Sequence, residues 1–364
     1  MTVPIRAAVA ALPAYKPGKP AAADPGLQTF KLSSNENPYP PLPEILTSVQ
    51  ESCADMHRYP DMANTVASTA LAAHLTTPEV AVREDNLAFG TGSVAVLYHL
   101  LQAVCEPGDE VIYAWRSFEA YPIAVQITGA VPVPVALRPD ATHDLAAMAA
   151  AITPQTKAIL ICTPNNPTGP SVGHAELAEF LAAVPDHVLV AVDEAYVEFI
   201  TDPNAARGLE LWRNHPNVAV LRTFSKAYGL AGFRVGYAVA EPSLAAAVRA
   251  VALPFGVSVP AQAAVIAALG AHAQLMARVT DITVARAQLV AGLTDLGFDL
   301  PDAQANFVWL GARERTEEYA AEFTKAGLMV RPYVAAGPWD GIRVSVGEPE
   351  ANARVLDVAA RLRR

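Results

Sequence analysis

Cysteine is scarce in this sequence of 364 residues, which contains only Cys53, Cys105 and Cys162. An odd number of widely spaced cysteines predicts neither a disulfide framework nor a metal cluster, and it fits a reducing compartment. The 8 histidines do not show the spacing of metal ligands either. We therefore expect no bound metal.

Long apolar runs are also missing. No stretch of about 20 uncharged apolar residues is present, as a membrane-spanning helix would require. The apolar stretch at residues 7–12 ends at Pro13 and is too short for a signal peptide. These absences favour a cytoplasmic protein.

Basic residues are outnumbered, since 26 Lys and Arg stand against 36 Asp and Glu and give a formal net charge of −10. This balance argues against nucleic acid or an anionic membrane surface as a partner. Hydrophobic residues make up 52% of the chain and charged residues 17%, which is typical of a globular protein with a sizeable core. Because 364 residues exceed what one hydrophobic core usually supports, we expect two domains.

Short apolar segments alternate with helical patterns from about residue 85 onward. The helical patterns include 93–105 and 174–183, and the segments of strand length lie at 110–113, 158–162, 188–192 and 218–221. Strands that are apolar on both faces and alternate with helices predict an α/β domain. Its central sheet is expected to be mostly parallel, with helices on both faces.

The pattern changes after a break at residues 254–260. A helical stretch at 261–296 and strand-like segments at 306–310 and 342–346 predict a smaller α+β domain. We therefore expect an N-terminal arm at 1–30 that joins the small domain, a large domain at 31–255 and a small C-terminal domain at 256–364.

The segment at 223–230, Thr-Phe-Ser-Lys-Ala-Tyr-Gly-Leu, places Lys226 next to a predicted strand end, and Arg234 follows shortly after. An amine must lose its proton before it attacks a carbonyl, and a partly desolvated site with a nearby cation lowers its pKa. The hydroxyls of Thr223 and Ser225 suit a phosphate. Taken alone, the segment is more typical of an exposed loop with a solvated lysine.

Asp193 and Tyr196 follow the apolar run at 188–192. A carboxylate at the carboxyl end of a parallel strand faces the ligand crevice of such a sheet. Such a carboxylate can keep a heterocyclic nitrogen protonated, and the tyrosine hydroxyl can donate to a ring oxygen. The alternative is an aspartate that caps the next helix.

Two further segments look like ligand-binding turns. Residues 163–169, Thr-Pro-Asn-Asn-Pro-Thr-Gly, form a turn that two prolines and a glycine make rigid, and Asn165 can be aimed from it. Residues 89–95, Phe-Gly-Thr-Gly-Ser-Val-Ala, fit a glycine-rich cradle in which backbone N–H groups at a helix N-terminus hold a phosphate. A dinucleotide site is the weaker interpretation, because Asp109 and Glu110 precede the next strand instead of ending it.

The order of these four segments resembles the fold-type I aminotransferases that depend on pyridoxal 5′-phosphate. The segments at 35–38 (Asn-Glu-Asn-Pro), 58–61 (Arg-Tyr-Pro-Asp) and 342–347 (Ile-Arg-Val-Ser-Val-Gly) narrow the resemblance to the histidinol-phosphate aminotransferase group. That group includes the aromatic amino acid aminotransferases, among which those acting on phenylalanine are the nearest match. The resemblance extends from about residue 10 to about residue 355.

The resemblance implies the following roles. Lys226 would carry the cofactor covalently and move the substrate proton, Asp193 would pair with the pyridine nitrogen, and Tyr196 and Asn165 would contact the ring oxygen. The cofactor phosphate would be held by Ser93, Val94, Thr223, Ser225 and Arg234. Phe118 would stack on the cofactor ring, unless it is simply a core residue. Tyr59 would reach the phosphate in the neighbouring subunit, which implies a homodimer with shared active sites.

The same resemblance implies how the substrate is bound. Arg343 would clamp its carboxylate in two-pronged fashion. Asn37 and Tyr15 would be lid contacts, and Arg331 would assist with an anionic group or be a solvated surface residue. Histidinol-phosphate enzymes commonly carry tyrosine at the positions of Phe118 and Phe255, and a tyrosine hydroxyl can donate to a phosphate. Phenylalanine there favours an aromatic amino acid, namely phenylalanine, tyrosine or tryptophan, with a 2-oxo acid such as 2-oxoglutarate as acceptor.

Three alternatives stay open from the sequence. The first is histidinol-phosphate transamination in histidine biosynthesis, and the second is a related pyridoxal-phosphate decarboxylase. The third is a regulator in which such a domain is fused to a DNA-binding module, although this acidic chain has no spare residues or basic patch for one.

Overall fold

The computed structural model of the protein describes residues 3–10, 12, 26–334 and 337–363. In this part of the chain the strands are β1 (Phe30–Lys31), β2 (Leu87–Gly90), β3 (Glu110–Trp115), β4 (Val131–Ala136), β5 (Thr156–Cys162), β6 (Leu189–Asp193), β7 (Val218–Thr223), β8 (Gly236–Val239), β9 (Phe307–Gly311), β10 (Leu328–Met329), β11 (Arg331–Tyr333) and β12 (Gly341–Ser345). The helices are α1 (Ala7–Ala10), α2 (Pro43–Ser52), α3 (Thr65–Leu75), α4 (Ser93–Val104), α5 (Ala120–Thr128), α6 (Leu145–Ala150), α7 (His174–Ala183), α8 (Gly208–Trp212), α9 (Pro242–Val251), α10 (Val259–Gly270), α11 (His272–Asp295), α12 (Thr316–Lys325) and α13 (Pro349–Leu362).

Seven strands form the large sheet, in the order β2-β8-β7-β6-β5-β3-β4. Only β8 runs antiparallel to its neighbours, and the other pairings are parallel. The expected mostly parallel α/β sheet is therefore confirmed. It is covered on both faces, because alternate residues of β3 belong to different apolar clusters: Ile112 and Ala114 pack on one face and Val111 and Tyr113 on the other.

The edge strand β4 has the sequence Val-Pro-Val-Pro-Val-Ala. A proline cannot donate to a strand ladder, so a strand with two prolines is tolerated only at a sheet edge. Strand β4 lies there, paired with β3 alone. Because the two prolines interrupt its apolar run, β4 was not among the strands predicted from unbroken apolar runs.

Two small sheets lie in the remainder of the described chain. Strands β11, β12 and β9 form an antiparallel sheet, and β1 pairs in parallel with β10. A third apolar cluster joins β1, β9, β10 and β12 to α12 and α13, with Phe323, Leu328, Val344 and Val355 among its fully buried members. The N-terminal strand β1 is thus paired with a strand from the last third of the chain.

The helical stretch expected at 261–296 consists of two helices. Helix α10 ends at Gly270 and α11 begins at His272, and the two axes differ by 80°. Glycine has a low helix propensity, which suits this position to a break. Helix α10 packs against α2 and α3. Within the described residues, no single helix is both long enough and apolar enough to cross a bilayer. Only α10 and α11 taken together, which are bent relative to each other, have that length and apolar character.

Candidate active site

The site lies where the parallel strands end. Strands β3, β5, β6 and β7 run in the same direction, so the residues that follow them meet at one edge of the sheet. A pocket of about 350 Å³ opens there. Its other lining residues come from the segment after β1 and from β11 and β12, so the large sheet and the antiparallel small sheet both contribute side chains.

Most of the residues selected from the sequence line this pocket: Ser93, Val94, Phe118, Asp193, Tyr196, Thr223, Ser225, Lys226, Arg234, Arg331 and Arg343. Four others do not line it, namely Asn37, Tyr59, Asn165 and Phe255. Tyr15 lies outside the described residues. The resemblance therefore predicted a set of residues that, with these exceptions, share one cavity.

Lys226 follows β7 and reaches into the pocket. Its Nζ donates to the backbone oxygen of Ser34 at 2.8 Å. Burial lowers the pKa of this amine to about 7, and the positive charges of Arg343 and Arg234 act in the same direction. Near neutral pH, a large fraction of such an amine is unprotonated and therefore nucleophilic.

Asp193 is the last residue of β6, and its two carboxylate oxygens have different surroundings. Oδ2 accepts a hydrogen bond from the hydroxyl of the fully buried Tyr121 at 2.9 Å. Oδ1 is buried and has no hydrogen-bond partner among the described residues. Burial raises the pKa of Asp193 to about 6, and the bond from Tyr121 opposes that rise. A buried, unpartnered carboxylate oxygen at a pocket wall is a ready partner for a protonated nitrogen.

Tyr196 lies three residues after Asp193 and lines the same pocket, where it is buried. Its hydroxyl oxygen accepts a hydrogen bond from Asn35 Nδ2 at 2.9 Å, and burial raises its pKa above the usual range. The phenol therefore stays protonated at neutral pH. Because Asn35 uses only an acceptor position, the hydroxyl proton is free to be donated into the pocket.

An anion cradle lies at the N-terminus of α4, whose first residues are Ser93 and Val94. The first N–H groups of a helix have no partner within the helix. Gly236, on β8, passes so close to Ser93 that a Cβ would collide with its backbone nitrogen, and a Cβ at Gly92 would collide with the guanidinium of Arg234. Arg234 is itself in the left-handed region, with φ 55°. The close approaches bring backbone N–H groups and a cation to one point.

Arg343 lies on β12 and is buried. Its guanidinium donates to Asn166 Oδ1 at 2.5 Å and to the backbone oxygen of Ser33 at 2.6 Å, while its Nε is buried without a partner in the described chain. Arg331 lies directly opposite on β11 and is 7% exposed. It donates to Glu119 Oε2 at 2.6 Å. Of the two interpretations of Arg331, the solvated surface residue is therefore wrong.

The position of Asn165 requires a correction. Its Nδ2 donates to the backbone oxygen of Arg116 at 3.0 Å and to Thr168 Oγ1 at 2.7 Å, and its Oδ1 accepts from Ser117 at 2.7 Å. These bonds hold the side chain inside the turn at 163–169. Asn166 lines the pocket instead. The side chains of adjacent residues in a tight turn point in different directions. The sequence therefore predicted the turn correctly, but it did not predict which of the two asparagines faces the pocket.

The structure also gives the positions of Asn37, Tyr59 and Phe118. Asn37 donates to the backbone oxygen of Ala227 at 3.1 Å, so it fastens the loop that carries Lys226. Tyr59 is 81% exposed, and it stacks on Phe255 with ring centroids 4.7 Å apart. Phe118 lines the pocket and meets Tyr121 edge to face at 5.7 Å. Phe118 is therefore a pocket residue, and not simply a core residue.

Several pocket residues were not selected from the sequence, among them Ser34, Glu119, Asn166 and Tyr333. Glu119 directly follows Phe118, and Asn166 directly follows Asn165, so proximity to a selected residue was the available signal. Tyr121 lies three positions after Phe118 at the start of α5, a spacing that places both on one side of a helical turn. Tyr333 had no comparable signal, because only the pairing of β11 with β12 brings it to the site.

The residues present fit the expected pyridoxal phosphate. The unpartnered Oδ1 of Asp193 suits its ring nitrogen, the start of α4 with Arg234 suits its phosphate, and the amine of Lys226 suits its aldehyde. All three lie on one pocket of about 350 Å³, which is a size that suits a cofactor with part of a substrate.

Comparison with known proteins gives a consistent result. A family model described as "Aminotransferase class I and II" matches residues 28–358. The chain is 53% identical over 360 residues to an aromatic amino acid aminotransferase of Streptomyces avermitilis, covering 99% of this chain and 98% of that protein. It is 46% identical over 355 residues to an aromatic amino acid aminotransferase of Thermobifida fusca, covering 98% and 96%. The structure superimposes with a TM-score of 0.83 on a histidinol-phosphate aminotransferase from Sinorhizobium meliloti in complex with pyridoxal 5′-phosphate, with 28% identity and coverage of 92% and 90%.

Proposed function

The chain belongs to the class I and II aminotransferases, and we propose that it transfers the amino group between an aromatic L-amino acid and a 2-oxo acid such as 2-oxoglutarate. Its cofactor is pyridoxal 5′-phosphate. The observation that carries the proposal is the single pocket lined by Lys226, Asp193 and Arg343. An amine, a ring-nitrogen partner and a carboxylate clamp are the three groups that transamination requires.

The proposed chemistry assigns one task to each of these groups. Pyridoxal phosphate, when bound, supplies the electron sink for the electron pair that the substrate Cα releases. Lys226 would hold the cofactor aldehyde through Nζ, and the same amine, when unprotonated, would take up the proton of the substrate Cα. Asp193 would hold the ring nitrogen in its protonated form through the unpartnered Oδ1. Arg343 holds the substrate carboxylate and so fixes the direction of the Cα–H bond.

The remaining residues bind and orient. Ser93, Val94, Thr223, Ser225 and Arg234 would hold the phosphate, and Tyr196 would donate to the ring oxygen. We now assign to Asn166 the contact first expected of Asn165, because Asn166 lines the pocket. Its Oδ1 accepts from Arg343 at 2.5 Å, so it also orients the carboxylate clamp. Phe118 offers an apolar face to the ring.

An aromatic substrate is supported by two observations. The curated relatives that are 46% to 53% identical are named aromatic amino acid aminotransferases. In addition, Phe118 lines the pocket at a position where a tyrosine hydroxyl could have bound a phosphate. Burying a phenyl ring contributes on the order of 1.5–3 kcal/mol. A substrate that carries a phosphate would lose roughly 1.5–3 kcal/mol of binding free energy for each charge-assisted hydrogen bond that its phosphate does not make.

We propose a homodimer in which each subunit completes the other's site. Several large apolar side chains are exposed around one cleft of about 450 Å³, which is lined by Met62, Leu253 and Phe255. Their exposed fractions are 61%, 70% and 42%. An exposed apolar patch of this kind is typical of an interface. Tyr59, stacked on Phe255, would then reach the cofactor phosphate of the partner. The cytoplasmic location stays a prediction from the sequence.

The test is a substrate panel of phenylalanine, tyrosine, histidinol phosphate and glutamate, read as kcat/KM. We expect phenylalanine and tyrosine to exceed histidinol phosphate. The double change Phe118→Tyr/Phe255→Tyr is expected to move the ratio toward histidinol phosphate. A native preference for histidinol phosphate would show that the aromatic assignment is wrong, and release of carbon dioxide from the amino acid would indicate a decarboxylase.

Histidinol phosphate is the second candidate amino donor. The observation in its favour is that Arg331 is a buried cation on the pocket wall, beside the expected carboxylate clamp. A buried guanidinium is well suited to a phosphate. The panel described above separates the two donors directly.

A further inference from the structure

Three charged side chains form one cluster, and two of them, Glu119 and Arg331, line the pocket. Glu119 accepts from Arg116 at 3.0 Å through Oε1 and from Arg331 at 2.6 Å through Oε2. The side chains of Arg116, Glu119 and Arg331 are 12%, 23% and 8% exposed. The single carboxylate therefore lies between two guanidinium groups in a largely buried setting, where charges interact more strongly than in water.

This cluster lies beside the expected carboxylate clamp. Arg331 and Arg343 are directly opposite each other in the β11–β12 pair. The ring of Tyr333 lies 5.6 Å from the guanidinium carbon of Arg331 and 5.8 Å from that of Arg343. A substrate whose carboxylate is held by Arg343 places its side chain in the rest of the pocket. The wall there includes Phe118, Glu119 and Arg331.

Two kinds of side chain must use this same space in turn. The amino donor of the proposed function has an uncharged aromatic end, whereas 2-oxoglutarate ends in a second carboxylate. A buried arginine without a counter-ion would penalise the aromatic end, because an unpaired buried charge is costly. An arginine held irreversibly by a carboxylate would not bind the acidic end.

We propose that Glu119 determines this dual specificity by holding Arg331 as an ion pair against an aromatic side chain and releasing it to an anionic one. The arrangement suits such an exchange, because Glu119 keeps Arg116 as a partner when Arg331 turns to the substrate. Each of these charged side chains then has an oppositely charged partner, whether the bound substrate ends in an aromatic ring or in a carboxylate. This inference rests on the proposed function, since it concerns the selectivity of the same pocket.

The direct test is Glu119→Gln, which keeps the shape of the side chain and removes its charge. We measure kcat/KM separately for phenylalanine and for 2-oxoglutarate in the holoenzyme, and compare their ratio with that of the native protein. The ratio is expected to move toward 2-oxoglutarate by about tenfold to a hundredfold, the range of one charge-assisted hydrogen bond. Both values come from one preparation, so an inactive fraction does not alter the ratio.

Three further variants define the mechanism. Glu350→Gln makes the same chemical change in an ion pair with Arg354 on α13, outside the pocket, and is expected to leave the ratio unchanged. Arg331→Gln alone is expected to lower kcat/KM for 2-oxoglutarate far more than that for phenylalanine. In the Arg331→Gln background, adding Glu119→Gln is expected to produce no gain for 2-oxoglutarate, because the cation to be released is absent.

The outcomes separate the two proposals. If the native protein does not transaminate phenylalanine, the proposed function is wrong. If it does, and Glu119→Gln leaves the ratio unchanged or moves it toward phenylalanine, the role of Glu119 is overturned while the function stands. A gain that persists without Arg331 would also overturn it, because repulsion by Glu119 alone would then account for the effect.

Discussion

The two carboxylate oxygens of Asp193 have different partners. Oδ2 accepts a hydrogen bond from Tyr121, whereas Oδ1 is available to the ligand. Binding of the protonated ring nitrogen requires the ionised carboxylate. Burial raises the pKa of Asp193 to about 6, so we expect the affinity for pyridoxal phosphate to be highest above that pH. As the pH falls below about 6, protonation of Asp193 removes the negative partner and the affinity is lost.

Tyr121→Phe should extend this loss to higher pH. The hydroxyl of Tyr121 stabilises the ionised form of Asp193, so its removal leaves the burial effect opposed only by the backbone N–H of Ala195 and raises the pKa further. The measurement is the dissociation constant of pyridoxal phosphate from the cofactor-free protein as a function of pH. Tyr113→Phe changes another buried tyrosine that lies outside the pocket and serves as the control. Identical pH profiles for the native protein and Tyr121→Phe would contradict the role of this hydrogen bond.

Lys226→Ala should remove the covalent link to the cofactor. We expect the visible absorption of the bound cofactor to disappear and turnover to fall drastically, because the amine with a pKa of about 7 is lost. Lys325→Ala changes an exposed lysine on α12 and should alter neither property. The assignment fails if Lys226→Ala still forms a link to pyridoxal phosphate that borohydride can reduce.

For single residues, the sequence predicted which residues belong to the site better than it predicted which way their side chains face. Lys226, Asp193 and Arg343 could be selected because their motifs tie chemistry to strand ends. Asn165 and Asn166 have the same side chain in the same turn, and only the backbone path decides which of them faces the pocket. From the sequence Arg331 could equally have been solvated, since its partner Glu119 lies 212 positions earlier in the chain.

At the scale of elements, the contact between β8 and α4 is the tightest feature of the cradle. Gly236→Ala would place a methyl group against the backbone nitrogen of Ser93, and backbone cannot yield as a flexible side chain does. We expect the start of α4 to shift and the affinity for pyridoxal phosphate to fall by roughly tenfold or more, as for loss of a charge-assisted hydrogen bond.

The matched control for this change is Gly311→Ala. Gly311 is also a strand glycine, on β9, and nothing lies within 4 Å of where its Cβ would be. The dissociation constant of pyridoxal phosphate should therefore be unchanged in Gly311→Ala. If the two variants bind the cofactor equally well, the close approach at Gly236 does not shape the cradle.

The elements that could be predicted from the sequence were those with one dominant pattern. The expected runs at 158–162 and 218–221 lie within β5 and β7, and the run at 188–192 matches β6 to within one residue at each end, because strands buried on both faces are apolar throughout. Strand β4 was missed because its prolines depend on an edge position that only the sheet order reveals. The antiparallel direction of β8 likewise depends on its neighbours.

For the whole molecule, the proposed homodimer with shared sites makes a complementation experiment possible. Lys226→Ala and Tyr59→Ala should each impair the homodimer, since one removes the amine and the other the predicted contact with the partner's phosphate. When the two variants are unfolded and refolded together, mixed dimers should regain activity. One of their two sites then combines a native Lys226 with a native Tyr59 from the other subunit.

The control for complementation is a mixture of Lys226→Ala with Asp193→Asn. Both residues line one pocket of the same chain, so in this mixture Lys226 and Asp193 stay apart in every site. No activity should return. If the Tyr59 mixture also stays inactive although mixed dimers form, Tyr59 does not serve the neighbouring site.

The division into domains at residue 255 stays a prediction. The change in pattern near 254–260 does coincide with the end of α9 at Val251 and the start of α10 at Val259. However, α10 packs against α2 and α3, and its residues Ala261, Ala264 and Val265 share a core with the large sheet. A sequence pattern indicates where one helix or strand ends and the next begins, but it does not indicate which hydrophobic core each of them packs into.

The pairing of β1 with β10 also bears on how the protein is made. Arg343 and its partner Ser33 are 310 positions apart, and Lys226 and Ser34 are 192 apart. A ribosome adds roughly 5–20 residues per second, and the emerging chain can form only contacts whose two ends are already present. The large sheet can therefore begin to assemble during translation, whereas β1 must wait for β10 and Ser33 must wait for Arg343 on β12. Loading of pyridoxal phosphate into a complete site is consequently an event that follows synthesis, and a nascent chain stalled before Leu328 should not retain the cofactor as the finished protein does.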